Sequence, residues 1–267
     1  MSLKKNAATW VPPRIKTFVK HRLNEYGFYS IKDGRGLAER GFYNVRGIGE
    51  IVTIDEFTER AFNLVSRALQ AREEVAALKE KYDQPILGEV SVERLLELEA
   101  QIIDPTNVFL FTGSQLTHTL QVLESMERAG VSDREFLATT LIHDLGKVAS
   151  LSGEKWENLE SGGKIPLGNN VPGSGLENCS FTWDHSDVVH ARFRPYLSND
   201  MAWLLKWHSI QKSCEPLMDG HDRALFEKYY RPFQHHDRTY IFHHLPNRRL
   251  SDYLPLVKEF FPEKVLF

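Results

Sequence analysis

A histidine and an aspartate stand side by side inside the apolar run Leu141-Ile142-His143-Asp144-Leu145-Gly146-Lys147, and this run constrains the fold more than any other part of the chain. Its hydrophobic neighbours draw the segment into the interior, where an imidazole or a carboxylate without a partner is costly. Two such groups leaving one turn are most cheaply accommodated when both bind a metal ion, because imidazole nitrogen and carboxylate oxygen are both metal ligands. The fold must then bring further ligands to the same point. His118 lies 25 residues upstream on what reads as the preceding helix, and Gln121, three residues further along, can turn toward the same centre.

The surrounding pattern is helical. Phe57, Ala61, Leu64, Ala68, Ala71 and Val75 recur at three- or four-residue spacing in a segment that opens at Ile54-Asp55-Glu56-Phe57 and ends near Tyr82-Asp83. Ser91 can cap a second helix running to about Ile103, with Arg94 at the position where a full capping box would place Glu or Gln. Asp104-Pro105 stops it. Ser114 then caps a helix reaching Ala129-Gly130 with Leu116, Leu120 and Leu123 on one stripe, and Asp133 caps the helix that carries Phe136, Leu137, Thr140, Leu141 and the His143-Asp144 pair. If that helix continues past Gly146, His143 and Lys147 share a face. Helical patterns return around 184–193, 199–212, 222–232 and 252–260. Strand-like alternation is scarce, so the expected class is all-α with five or more central helices.

Two segments break the pattern. Residues 1–50 hold several glycines (Gly34, Gly36, Gly41, Gly47, Gly49) and read as an arm packed on the core or a lid, with Tyr26, Phe28, Tyr29, Arg35, Arg40 and Tyr43 as lid candidates. Residues 151–182 are rich in Gly, Asn and Pro, and a loop this long between helices reads as the wall of a pocket.

A chain of 267 residues without a Gly/Ser/Pro-rich linker reads as a single domain. With 33 basic and 36 acidic residues its formal charge is −3, which predicts neither a nucleic-acid nor an anionic-membrane partner. Cys179 and Cys214 are too few for a disulfide framework or a thiolate zinc site. Met1 to Phe18 lack the apolar core of a signal peptide, and no stretch approaches the roughly 18 apolar residues that span a bilayer, so a soluble cytoplasmic protein is expected.

Polar candidates on or beside the helices are His118, His143, Asp144, His185, His208 and Asp237. Four imidazoles with two carboxylates suit iron, manganese or zinc, and Asp144 has an oxygen for each of two ions. Six protein ligands exceed what an open four-coordinate zinc site takes and fit a dinuclear centre. His190 rivals His185, and His235 and His236 rival Asp237; His221, His243 and His244 have no comparable partners in the sequence.

From about Val90 to the C-terminus the chain resembles the HD-domain superfamily, and within it the myo-inositol oxygenase-like non-heme diiron oxygenases. His118 with Gln121 matches the family's His-x-x-Gln, and His143 through Lys147 its His-Asp-Leu-Gly-Lys run. The stretch Leu151-Ser152-Gly153-Glu154-Lys155-Trp156, then Pro166-Leu167-Gly168, Trp183-Asp184-His185-Ser186, Trp207-His208-Ser209 and Asp237 continue the match.

The resemblance implies an HD-domain helical bundle with long active-site loops, the whole of 1–267 being one catalytic domain and 1–89 an N-terminal extension on or over its core. It implies all six metal ligands, with Asp144 bridging two irons in a mixed-valent Fe(II)/Fe(III) pair, and O2 as co-substrate. The activity implied is oxidative cleavage of a C–C or C–P bond in a small hydroxylated substrate. Lys147 is the implied catalytic and substrate-binding residue, Ser209 and Asp104 further substrate contacts, and Gln121 an orienting group behind the ligands. Two departures separate the chain from myo-inositol itself: Ile241 stands where the family has a second lysine, and the segment from Gly173 to His185 is shorter. Arg192, Arg194, Arg238, Arg248 and Arg249 are candidates for gripping an oxyanion. The competing expectation is an HD-type dinuclear phosphohydrolase with nearly the same ligands, from which Trp183 to His185, Trp207 to Ser209 and Asp237 distinguish the oxygenases. A non-enzymatic binding module comes third.

Overall fold

Capping residues fix where most helices begin. The computed structural model describes residues 70–102, 104, 114–160, 163–239 and 246–267, together with the backbone of two short paired strands, β1 (Phe42–Asn44) and β2 (Ile51–Thr53). The lid candidates and the helical pattern before residue 70 lie outside the described residues, except that the backbone of Tyr43 belongs to β1.

Helix α1 covers Arg72–Asp83, ending where expected but not running continuously through Ala71. Ala71 is extended, and Glu74 reaches back to its N–H at 2.7 Å. Gln70 gives its amide N–H to the Trp183 carbonyl (3.0 Å) and accepts the Trp183 N–H (2.8 Å), pairing side chain to backbone and binding the start of α1 to a distant segment. Tyr82 then stacks on Trp183 with ring centroids 4.8 Å apart.

After β3 (Glu89–Val90), helix α2 spans Val92–Glu99 with the Ser91 hydroxyl accepting the Arg94 N–H at 3.1 Å, as the half capping box predicts. It stops short of Ile103: Gln101 and Ile102 bond back only three residues, to Leu98 and Glu99. Helix α3 (Gln115–Arg128) and helix α4 (Arg134–Ile142) start from Ser114 and Asp133, whose side chains accept the N–H groups of Thr117 (3.3 Å) and Phe136 (3.1 Å). Both are central. Every residue of α4 from Phe136 to Ile142 is buried, and α3 buries His118 through Met126, so these helices lack a solvent face over most of their length.

Helix α4 ends at the histidine-aspartate pair. His143 closes it, Asp144 turns at φ −100° and ψ 1°, and a 3₁₀ helix runs from Leu145 to Ser152. The α-helix does not continue past Gly146, so the condition under which His143 and Lys147 would share a face is not met, and Lys147 lies against Asp144, three residues back. Gly146 permits the approach that follows, since a Cβ there would lie 1.9 Å from the His185 carbonyl oxygen.

The segment 151–182 has its own organisation. It carries helix α5 (Trp156–Leu159) and two isolated backbone bridges, Lys164 to Ile210 and Pro166 to Phe181. Glu154 fixes its start, accepting from Lys81 and the Tyr82 hydroxyl at 2.5 Å each and from Asn158 at 2.6 Å. Helix α6 (His185–Phe193) and helix α7 (Asn199–Trp207) pack together, α6 also meeting the 3₁₀ segment and α7 meeting α4. Helix α8 (Gly220–Leu225) passes through one π-helical turn at Phe226–Tyr230 into helix α9 (Arg231–Thr239), a longer run than 222–232 predicts. Helix α9 lies on α3, and helix α10 (Leu250–Phe260) packs on α2 and α4 before β4 (Val265–Leu266) pairs with β3. The described residues are thus predominantly α-helical, with no closed sheet and no helix long and apolar enough to cross a membrane.

Candidate metal centre

Three helix ends and one helix face converge on Asp144. His118 comes from the first half of α3, His143 and Asp144 from the end of α4, His185 is the first residue of α6 and His208 caps the end of α7. Two buried triads result, His118/His143/Asp144 and Asp144/His185/His208, each able to hold a metal ion. Asp144 divides its oxygens between them. Oδ2 lies 3.2 Å from His143 Nε2 and 3.7 Å from His118 Nε2, while Oδ1 lies 3.0 Å from His185 Nε2 and 3.8 Å from His208 Nε2. Asp237, from α9, adds Oδ1 at 3.0 Å from His118 Nε2 and 3.6 Å from His143 Nε2.

The outer ring nitrogens decide what the inner ones can do. Nδ1 of His143, His185 and His208 lies 2.7, 2.8 and 2.9 Å from the carbonyl oxygens of Thr140, Leu159 and Leu205. A carbonyl oxygen only accepts, so each Nδ1 carries a proton, and Nε2 presents a lone pair whenever the ring is neutral. His185 Nε2 and His208 Nε2 are 3.0 Å apart, close enough to share a proton, with Asp144 beside them. His143 Nε2 is buried without a hydrogen bond and faces two carboxylates. Acceptors crowded together in this way require positive charge between them, supplied by protons or by metal ions, and the mixed nitrogen/oxygen donor set fits iron, manganese or zinc better than magnesium or calcium.

The electrostatics agree. Burial opposes ionisation of Asp144, but His143, Lys147 and His185 hold its carboxyl well below the usual range. Burial also works against a charged His143, yet Asp144 and then Asp237 raise its pKa to about 10. Asp237 is pulled down against its own burial by His118 and His143. His185 is pushed up by Glu160 and Asp144 despite burial, whereas burial, with a contribution from the neighbouring His185, lowers His208. Of this pair, His185 therefore takes a proton first.

Lys147 sits beside the centre in a ring of acceptors. Its ammonium lies 2.7 Å from Asp104 Oδ2, 2.9 Å from Glu160 Oε1 and 3.1 Å from Asp144 Oδ2. Gln115 donates its amide to the same Asp144 oxygen. Gln115, Glu160 and Glu99 escape sequence reasoning. Gln115 and Gln121 each lie three residues from His118 on α3 and both are buried, so spacing alone does not choose between them. Glu160 stands in the loop predicted to wall a pocket, with Oε1 also 3.1 Å from His185 Nδ1. Glu99 is fully buried; burial and Asp144 raise its pKa to about 8, and it accepts from the Thr119 hydroxyl at 3.2 Å.

The remaining sequence candidates lie elsewhere. Ser209 gives its hydroxyl proton to Asp184 Oδ2 at 2.6 Å. His236 Nδ1 is 2.6 Å from the Ser125 hydroxyl and His235 is exposed, so of the three neighbours only Asp237 is found against His118. His190 belongs to neither triad. Among the arginines, Arg192 clasps the carbonyls of Tyr82 and Gln84 at 2.6 Å each, and Arg248 faces Glu127 at 3.6 Å. The side chain of Arg238 and residue Ile241 lie outside the described residues.

No model of a known protein family matches the chain, and a search of curated proteins finds no relative. The two clusters are those of a binuclear metal-dependent site, with catalytic potential resting on their chemistry.

Proposed function

We propose that this protein is a non-heme diiron oxygenase that uses O2 to transform a small hydroxylated substrate. The observation that carries the reading is the division of Asp144 between two histidine pairs, one carboxylate oxygen to each. His118, His143, Asp144 and Asp237 would hold one iron, and Asp144, His185 and His208 the other. Bound irons supply electrons to O2 and the Lewis acidity that polarises a substrate hydroxyl. The chain's own part is orientation. Backbone carbonyls aim three imidazoles inward, Gln115 holds Asp144, and Lys147 with Asp104 and Glu160 offers a substrate hydroxyl both donors and acceptors. Lys147 is the residue expected to orient substrate oxygen.

The same reading takes 1–267 as one HD-type catalytic domain with 1–89 as an extension. The oxygenase is preferred to the phosphohydrolase because the resemblance continues through Trp183 to His185, Trp207 to Ser209 and Asp237. Anaerobic iron reconstitution with low-temperature EPR after partial oxidation tests it. Two irons per chain with a coupled mixed-valent signal, perturbed by polyols or hydroxyphosphonates, is the expected result. Two bound zinc or manganese ions, no coupled iron centre and turnover of phosphate esters would replace the oxygenase with the hydrolase.

A further inference from the structure

Lys164 is the most buried lysine among the described residues, at 1% exposure, and the metal chemistry above does not use it. Its surroundings connect it to one half of the centre. The backbone around it is stitched on both sides. Lys164 N–H donates to the Ser209 carbonyl (3.1 Å) and its own carbonyl accepts from Gln211 (3.2 Å). On the other side Ile165 bonds Thr182 in both directions at 2.9 Å, and the Thr182 hydroxyl donates to the Gly163 carbonyl at 3.1 Å. Residues 163–165 therefore bracket the segment entering His185 and the segment leaving His208. Gly163, at φ +87°, lies so close that a Cβ would be 2.2 Å from the Ser209 oxygen.

The side chains close the same bracket. Lys164 Nζ reaches Asp187 Oδ2 at 2.5 Å and Asp184 Oδ1 at 3.4 Å. Asp184, fully buried, spends Oδ1 on the N–H (2.9 Å) and hydroxyl (2.6 Å) of Ser186, the second residue of α6, beside His185. Its Oδ2 takes the hydroxyl of Ser209, the neighbour of His208. One carboxylate thus ties together the residues next to both histidines, and a buried ammonium holds that carboxylate. His118 and His143 come from α3 and α4 and take no part in the bracket.

We propose that Lys164, Asp184 and Ser209 are positioning residues for the Asp144/His185/His208 ion, so that their loss weakens one ion and spares the other. Ser209 on this account acts through Asp184 and does not bind substrate. The inference rests on the reading that each triad holds an ion. Outer groups that orient metal ligands are worth about 10- to 100-fold in metal affinity.

The test is anaerobic titration of the metal-free full-length chain with cobalt(II), followed by absorbance and by metal analysis after dialysis, on the natural protein, Ser209→Ala and Lys164→Met. The natural protein should bind two ions. Ser209→Ala should weaken one of them about 10-fold, and Lys164→Met about 100-fold, with the other affinity unchanged and the absorbance of the remaining ion that of an isolated centre. Lys164→Met leaves the buried Asp184 and the half-buried Asp187 without their cation and can fail to fold; Ser209→Ala removes a single hydroxyl and decides the matter. Two ions weakened equally, or neither weakened, would overturn the positioning role while leaving the dinuclear reading intact. A natural chain that binds no ion would remove that reading and this inference with it.

Discussion

A methyl group at position 146 has no room. The Cβ of Gly146→Ala would stand 1.9 Å from the His185 carbonyl oxygen, 2.8 Å from its carbon and 3.1 Å from its Cα, all backbone atoms at the start of α6. Ordinary contact is near 3.4 Å, so the 3₁₀ segment and α6 must separate by about 1.5 Å. Overpacking of this kind costs about 1–3 kcal/mol. At about 2–4 °C per kcal/mol for a chain of this size, the melting temperature should fall by about 2–12 °C. The functional loss should be larger than the loss of stability, because the displaced backbone carries His185, whose Nε2 sits 3.0 Å from Asp144. Misplacement by about 1 Å can cost roughly 100-fold in rate. The assay is a thermal melt alongside metal content and turnover. Gly220→Ala is the control: its Cβ meets nothing within 4 Å, and the change should leave stability level or slightly raised. A Gly146→Ala protein that melts within about 1 °C of the natural one and keeps its full metal content would refute the reasoning.

Three further outcomes follow from the site and its supports. Asp144→Asn keeps the shape of the residue both triads share but removes its charge, so metal analysis should find both ions lost together, whereas His118→Ala or His208→Ala should each lose one. Lys147→Met leaves Asp104, Glu160 and Asp144 without their common cation, and breaking a buried pair costs about 3–5 kcal/mol, read as a fall in denaturant midpoint that Lys147→Arg partly restores. Lys81 and Tyr82 overcome the burial of Glu154 and lower its pKa from 4.5 to about 2. The folded chain therefore binds fewer protons at this residue between those values, and its contribution is present above pH 4.5 and lost as pH falls through about 2. Glu154→Gln should destabilise at pH 7, and the gap to the natural protein should close across that window; a constant gap would show that charge is not involved.

Much of the framework can be read directly from local chemistry. Ser91, Ser114 and Asp133 announce their helices because an N-cap is a short-range event between a side chain and an N–H three residues on. His143-Asp144 announces a buried polar centre because its cost is local too. What stays hidden depends on distance along the chain. Gln70, just before α1 begins, pairs with Trp183, 113 residues away, and no periodicity encodes that. The close approach of the His185 backbone to Gly146 in the 3₁₀ segment, 39 residues away in the chain, is not encoded locally either. The hydrogen bond from the Ser209 hydroxyl to Asp184, 25 residues away, is equally invisible to spacing. Gln115 and Gln121 are equivalent by spacing, and only the approach of Asp144 distinguishes the first.

The π-helical turn at Phe226–Tyr230 sets the phase of everything after it. Such a turn takes one residue more than an α-helical turn, and each residue of an α-helix advances by about 100°. Deleting a single residue there would restore regular winding and rotate α9 by about 100° about its own axis. Asp237 would then swing away from His118, and Phe233, which packs edge-on against His143 and His208, would leave the floor of the centre. The helix thus works as a dial whose one extra residue fixes the setting at which a carboxylate and an aromatic ring both face the histidines.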